Sequence, residues 1–204
     1  MYFCSKYKNW EHMTTSIDIA RRIAEVNHPL SRESVHALAE ILVCRKYRKG
    51  EIVLQAGEVC KAMLFIEKGM LRQCYYKYDK DLTEQIGYEN GMIICIESYF
   101  KQAPTRLMVE TLEASVVWEL PRVEVEKLID QYHDIERLYR GFIEHSLIES
   151  QVKADTLRFE PAHERYNRLL QLHPEILKRA PLVYIASLLQ MTPETLSRVR
   201  SSLL

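Results

Sequence analysis

The chain has 204 residues, 47% of them apolar, enough for one or two domains with a buried core. Its 28 Lys and Arg balance 28 Asp and Glu, which excludes a globally basic nucleic-acid binder but leaves room for a local basic patch. No apolar run approaches the length of a membrane span, and Met1 to Trp10 lacks a secretory pattern, so a cytoplasmic protein with no membrane partner is expected.

The five cysteines are Cys4, Cys44, Cys60, Cys74 and Cys95, and none has metal-ligand spacing. They are expected to be free thiols acting as small apolar residues, with no metal or iron–sulfur site.

In chain order, Ile17, Ala20, Ile23 and Ala24 recur at helical spacing. After His28-Pro29-Leu30, Ser31 is placed to cap a second helix, with Ser34 at the capping-box position. Val35, Leu38, Ile41 and Leu42 mark its apolar face. From about Arg45 the pattern changes to short runs rich in β-branched and aromatic residues. They fall at 51–55, 62–67, 71–78, 82–88, 106–112 and 116–120, punctuated by Gly50, Gly57, Gly69, residues 79–81 and Asn90-Gly91. Such spacing predicts a β sandwich or barrel. Pro121 closes this region, and Val123, Val125, Leu128 and Ile129 predict a short helix.

Ile135, Leu138, Phe142, Ile148 and Val152 then form one apolar stripe on a long helix, although His145 and Glu149 break a clean heptad. Pairing with a second copy is the leading expectation for that stripe, and packing on the chain's own β domain is the alternative. Phe159-Glu160-Pro161 ends the pattern. A helix through Tyr166, Leu169 and Leu170, a break at His173-Pro174, and two closely spaced helices follow.

The stretch from Pro181 to Arg200 is the most informative. Ile185, Ala186 and Leu189 make the inner face of one helix. Thr192 is an N-cap, and Pro193 takes the first helical position, where a missing N–H costs nothing. Leu196 and Val199 face back, leaving Glu194, Thr195, Ser197, Arg198 and Ser201 outward. This is a helix-turn-helix pattern whose second helix suits the DNA major groove. Arg pairs bidentately with guanine, Glu accepts from the cytosine amino group, and Thr and Ser bond phosphates or bases. Charge agrees: residues 158–204 hold seven Lys and Arg against four Asp and Glu, a net of +3, while residues 121–157 carry −3. An ordinary amphipathic helix pair with solvated charges is the plain alternative.

On these residues the chain resembles the Crp/Fnr regulators, from about Leu38 to Arg200. Lys49-Gly-Glu-Ile-Val-Leu-Gln-Ala-Gly-Glu58 and Met63-Leu-Phe-Ile-Glu-Lys-Gly69 look like that family's cyclic-nucleotide-binding roll. Ile185 to Arg198 is similar to its DNA-binding signature. Glu164-Arg165-Tyr166 and Ile176-Leu-Lys-Arg-Ala-Pro181 look most like the Bacteroidetes-type branch. The resemblance implies an α+β fold: a cyclic-nucleotide-type β-roll, a long dimerisation helix and a C-terminal helix-turn-helix without a clear wing. The implied division is 1–133 sensor, 134–157 dimerisation helix and 158–204 DNA-binding domain. Double-stranded DNA, a second copy and RNA polymerase are the implied partners. Thr192, Glu194, Thr195, Ser197 and Arg198 are the implied DNA-binding residues, Glu194 and Arg198 matching the family's base-reading pair.

The chain also departs from the family. Pro193 stands where an additional Arg is common, and the sequence ends at Leu204 without a wing. Cyclic-AMP binders carry Gly-Glu and Arg-Ser/Thr on the segment matching Gly91 to Arg106; without gaps, Cys95-Ile96 and Thr105-Arg106 fall there. Glu97, Ser98, Thr105 and Arg106 are the candidate pocket residues, with Glu97 and Arg106 each displaced by one place unless a single-residue bulge near Ser98 or Pro104 restores them. Cyclic AMP is therefore not the expected effector. The chain is expected to have no resident cofactor, only a small-molecule effector of another kind, or none. A ligand-binding module whose helix-turn-helix serves protein contacts is the alternative function. No catalytic residue, phosphate loop or haem ligand pattern is found, and no enzyme is expected.

Overall fold

The computed structural model describes residues 14–202. Cys4 and the segment from Met1 to Trp10 lie outside the described residues. The chain opens with α1 (Ser16–Asn27) and α2 (Arg32–Ile41). Thr15 starts α1 with a full capping box: its hydroxyl accepts from the Asp18 N–H, and the Asp18 carboxylate accepts from the Thr15 N–H. Ser31 caps α2 as expected, accepting from the Ser34 N–H at 3.1 Å. Ile19, Ile23 and Leu38 sink the two helices into the main core.

Eight strands follow: β1 (Val43–Tyr47), β2 (Ile52–Leu54), β3 (Ala62–Lys68), β4 (Met70–Lys77), β5 (Lys80–Tyr88), β6 (Met92–Ile93), β7 (Met108–Thr111) and β8 (Ser115–Pro121). A six-residue helix, α3 (Ile96–Lys101), lies between β6 and β7. The strands make two antiparallel four-stranded sheets, ordered β1-β8-β3-β6 and β2-β7-β4-β5. Phe65, Ile66, Leu71, Ile93, Val109 and Val117 fill the space between them. The β3–β4 turn depends on Gly69, whose φ is +101°. A Cβ there would stand 2.2 Å from the Ser115 hydroxyl.

Three elements of this region go beyond the sequence expectation. The first is β1, three of whose five residues are exposed; as an edge strand it lacks the apolar alternation that marks a half-buried one. The other two are β6, of two residues, and α3, both shorter than any period can register.

Past β8 the chain turns into α4 (Arg122–Gln131) and the 27-residue α5 (His133–Phe159). Asp134, at the start of α5, ties back to α2 by accepting from the Ser31 N–H and the Ser34 hydroxyl. The expected stripe on α5 divides in two. Ile135, Leu138 and Phe142 are buried in the chain's own core, whereas Ile148 and Val152 are exposed, as is Leu147, which lies outside the expected stripe. The alternative of packing on the β domain therefore holds for the first half of the stripe.

The C-terminal part comprises α6 (Ala162–Leu172), α7 (Pro174–Arg179), α8 (Leu182–Leu188) and α9 (Pro193–Ser201). The short α7 adds to the helices read from the sequence. A second core joins Tyr166, Leu169, Ile176, Ile185, Ala186, Leu189 and Leu196 to Met70 and Ile86 of the roll. The C-terminal helices are thus seated on the outer face of the β4–β5 hairpin.

Candidate nucleic-acid interface and ligand cassette

The α8–α9 pair is built from local rules. Ile185 and Ala186 are 0% and 1% exposed, and the small Ala186 lets the second helix approach. Between the helices Gln190 adopts φ +50°, the left-handed conformation that reverses the chain, and the Met191 N–H reaches the Ala186 carbonyl at 2.9 Å. Thr192 then caps α9, its hydroxyl accepting from the Thr195 N–H at 3.2 Å, with Pro193 at the first helical position. Leu196 is buried and Val199 partly so.

The residues this leaves outside are those expected. Thr192, Glu194, Ser197 and Arg198 are exposed, together with Arg200 and Ser201, and Thr195 is half-buried beside its cap. The Thr192 hydroxyl beside Glu194 holds that carboxyl below its usual range, so it is an ionised acceptor at neutral pH. The face therefore offers a fixed acceptor and guanidinium donors on a capped helix nine residues long.

The pair is docked through a polar latch that the sequence did not disclose. Arg72, in the middle of β4, has a side chain only 1% exposed. Its guanidinium bonds Asp81, donates to Glu110 at 2.8 Å and to the Thr83 hydroxyl at 2.9 Å, and lies 3.7 Å from the ring centroid of Tyr184 on α8. The Thr83 N–H donates to the Ser187 hydroxyl at 2.8 Å. Arg179 forks onto Glu89 at 2.7 and 2.9 Å and also bonds Glu113. The Arg179 guanidinium holds the Glu89 carboxyl down at about 2. One sequence signal points to Arg72: a cation set among Met70, Leu71 and Cys74, where a buried strand calls for apolar residues.

The cassette around α3 has the opposite character. Ser98 is buried, its hydroxyl accepting from the Cys60 N–H at 2.9 Å and donating to the Ala103 carbonyl. Thr105 is also buried, accepting from the Leu107 N–H at 2.9 Å. Glu97 points to solvent and pairs with Lys101 across one turn. Arg106 is exposed and stacks over Tyr75 at 5.0 Å. The structure brings Ser98 and Thr105 inward and leaves Glu97 and Arg106 outside; Ser98 sits in regular helix. The interior is completed by residues the sequence reading passed over as site members: Cys60, Cys95 and Gln73, whose amide donates to the Ile94 carbonyl and to the Cys95 sulfur, both at 3.1 Å.

This architecture has known counterparts. Residues 44–132 match the model of the cyclic nucleotide-binding domain family, and the chain as a whole carries the fold of the Crp/Fnr transcription regulators. Among solved structures it is similar to the catabolite activator protein of Thermus thermophilus, at 19% identity over 89% of this chain and 86% of that one, with a TM-score of 0.56. It is similar to FixK2 from Bradyrhizobium japonicum, at 20% identity over 80% and 84% of the two chains, with a TM-score of 0.65. The c-di-GMP responsive global regulator CLP of Xanthomonas campestris matches at 16% identity over 85% and 91%, with a TM-score of 0.62. No curated protein is significantly similar in sequence. Among the described residues, no group of three or more His, Cys, Asp or Glu could hold a metal ion, and no helix is long and apolar enough to cross a membrane.

Proposed function

We propose that this chain is a DNA-binding transcription regulator rather than an enzyme, and that α8 and α9 form a helix-turn-helix with α9 as the element that reads the major groove. The observation that carries this reading is the composition of the exposed face of α9. Glu194, Ser197 and Arg198 stand free of the core on a helix fixed from behind by Leu196 and from its start by Thr192. Base-edge recognition needs that combination of rigid helix and outward donor and acceptor. The Crp/Fnr-type architecture supports it.

In this reading two copies pair through the exposed half of α5, where Leu147 is 71% and Ile148 59% exposed. Two-fold pairing would present two α9 helices to a palindromic site. The working units are residues 1–133, 134–157 and 158–204, RNA polymerase is a further partner, and the effector is a small molecule other than cyclic AMP, or none. The closed cassette supports that last point: Arg106 faces outward, and a buried phosphate without a cation is costly.

Selection of binding sites from genomic DNA by the purified protein tests this proposal. The expected result is a palindromic motif bound with steep salt dependence by a species that sediments as a dimer. A second reading, in which the helix pair serves protein contacts, is favoured by the seat of α8 on β5. Absence of salt-dependent duplex binding would decide for it.

A further inference from the structure

We propose that the roll carries an internal mask against DNA: Glu89 and Glu113 hold Arg179 in the place of a backbone phosphate, and a duplex binds fully only when they let go. The proposal rests on the helix-turn-helix reading and adds a regulatory contact to it. Arg179 ends α7 and stands three residues before α8, the first helix of the pair. In helix-turn-helix proteins the first helix crosses the DNA backbone, so a cation at its start lies where a phosphate approaches.

What Arg179 meets instead is the roll. Of its neighbours, Arg168 pairs with Glu160 and Lys178 with Glu175, both inside the C-terminal segment. Arg179 crosses to Glu89, just past the end of β5, at 2.7 and 2.9 Å, and bonds Glu113 in the β7–β8 turn. A guanidinium offers the same planar fork to a carboxylate and to a phosphate, so the two acids and a phosphate compete for the same donors. The roll places the acids by itself. Glu89 also accepts from the Gly69 N–H at 2.8 Å, and the Leu112 N–H before Glu113 donates to the Met70 carbonyl at 2.8 Å. The Arg179 side chain is left only 24% exposed, too little for a duplex to reach its fork while the acids stay.

The contact extends along α8. The ring of Tyr184 lies over the Arg72 guanidinium, and the Ser187 hydroxyl accepts from the Thr83 N–H and donates to the Asp81 carbonyl at 3.3 Å. Beneath Tyr184, Asp81 and Glu110 set two carboxylates against the one charge of Arg72. Further along β5, Glu84 bonds Lys153 of α5. The β4–β5 hairpin thus covers part of the helix that the backbone has to cross, and it brings carboxylates there, which repel phosphate.

The test measures binding of a random-sequence duplex by fluorescence anisotropy over a range of salt. The full chain is compared with a Glu89→Gln, Glu113→Gln double variant, each confirmed as folded by circular dichroism. Removing the two charges is expected to tighten binding roughly five- to tenfold at about 0.1 M salt. It is also expected to steepen the slope of log affinity against log salt by about 0.9, the share of one phosphate contact. Adding Arg179→Gln to the double variant should return the slope to that of the unaltered chain. A control, Glu124→Gln with Glu126→Gln, removes as much charge from α4 and should change neither quantity. Hydrogen exchange on the unaltered chain gives a second readout, independent of the variants: duplex should speed exchange in β5, where the Thr83 N–H loses Ser187. An unchanged slope, an equal gain in the α4 control, or β5 amides that stay protected while duplex is bound overturns the mask and leaves the DNA reading standing. Absence of salt-dependent binding by every one of these proteins overturns both.

Discussion

In the cassette, polar side chains face one another. Ser98, Thr105, Gln73 and the two cysteines are buried and bond to each other or to nearby backbone. On α9 the polar side chains face out; Thr192 and Thr195 are engaged in the cap, and the Ser201 hydroxyl donates to the Ser197 carbonyl. Both regions sit in a fold of the same regulators, yet one has closed over its interior and the other is free to meet a partner. A fold preserves the place of a site more readily than its chemistry. The direction in which polar groups point is therefore a better guide to what this chain does than the match of its roll.

Four experiments break or sharpen that contrast. The largest effect is expected at Arg72, which joins the two regions. Arg72→Ala leaves Asp81 and Glu110 without their cation. Their side chains are 33% and 18% exposed and regain some water, so a loss of about 3 kcal/mol in unfolding free energy is expected in urea titrations. A loss below the error of the titration would mean that the latch does not hold the C-terminal helices.

Arg198→Ala is expected to cost about 1–3 kcal/mol of specific DNA affinity and to relax one base position, with unfolding unchanged. Equal loss on specific and random duplexes would assign Arg198 to phosphate contact instead.

Smaller again is the acid response of the Arg179–Glu89 bridge. Glu89 is held at about 2, below its ordinary 4.5, so it adds stability that is complete above 4.5 and fades as the pH falls toward 2. Its side chain is 33% exposed, and screening limits the contribution to about 1 kcal/mol. Stability curves of the unaltered chain and Glu89→Gln should converge over that interval; parallel curves would remove the bridge from the latch.

The smallest expected effect is none at all. Calorimetry with cyclic AMP should show no binding at micromolar concentration, since Arg106 stacks on Tyr75 outside the closed cassette. Micromolar binding lost in Arg106→Ala would show that the cassette opens and draws that cation in.

Most of the fold was legible because its elements obey local rules. The caps at Ser31 and Thr192, the turns at Gly69 and Asn90, and the apolar faces of α2 and α8 are all written within a few residues. The edge strand β1 was not, because charged residues hide its period. The outward face of α9 was legible for the same local reason as its cap. The latch was not, since Arg72 meets Tyr184, and Thr83 meets Ser187, across about a hundred residues of chain. Nor was the interior of the cassette: Gln73 and Cys95 look unrelated until the roll closes. The α5 stripe misled in part because one helix serves two neighbours in turn, and period alone does not say where the change falls.

The length of α5 has a mechanical consequence. Twenty-seven residues at roughly 1.5 Å each make a rod of about 40 Å. A tilt of about 5° at its base sweeps the far end by about 3.5 Å, close to one base-pair step of about 3.4 Å. Small motions at the base of α5 would thus be magnified at its far end. Lys153, two turns from the end of the rod, is bonded to Glu84 of β5, and Arg179 and Tyr184 pin what lies beyond. A lever fastened along its outer third does not swing in proportion to the push. If the chain works as the proposed regulator, it would stay until the fastenings release together, and the displacement of α9 would be a step rather than a slope.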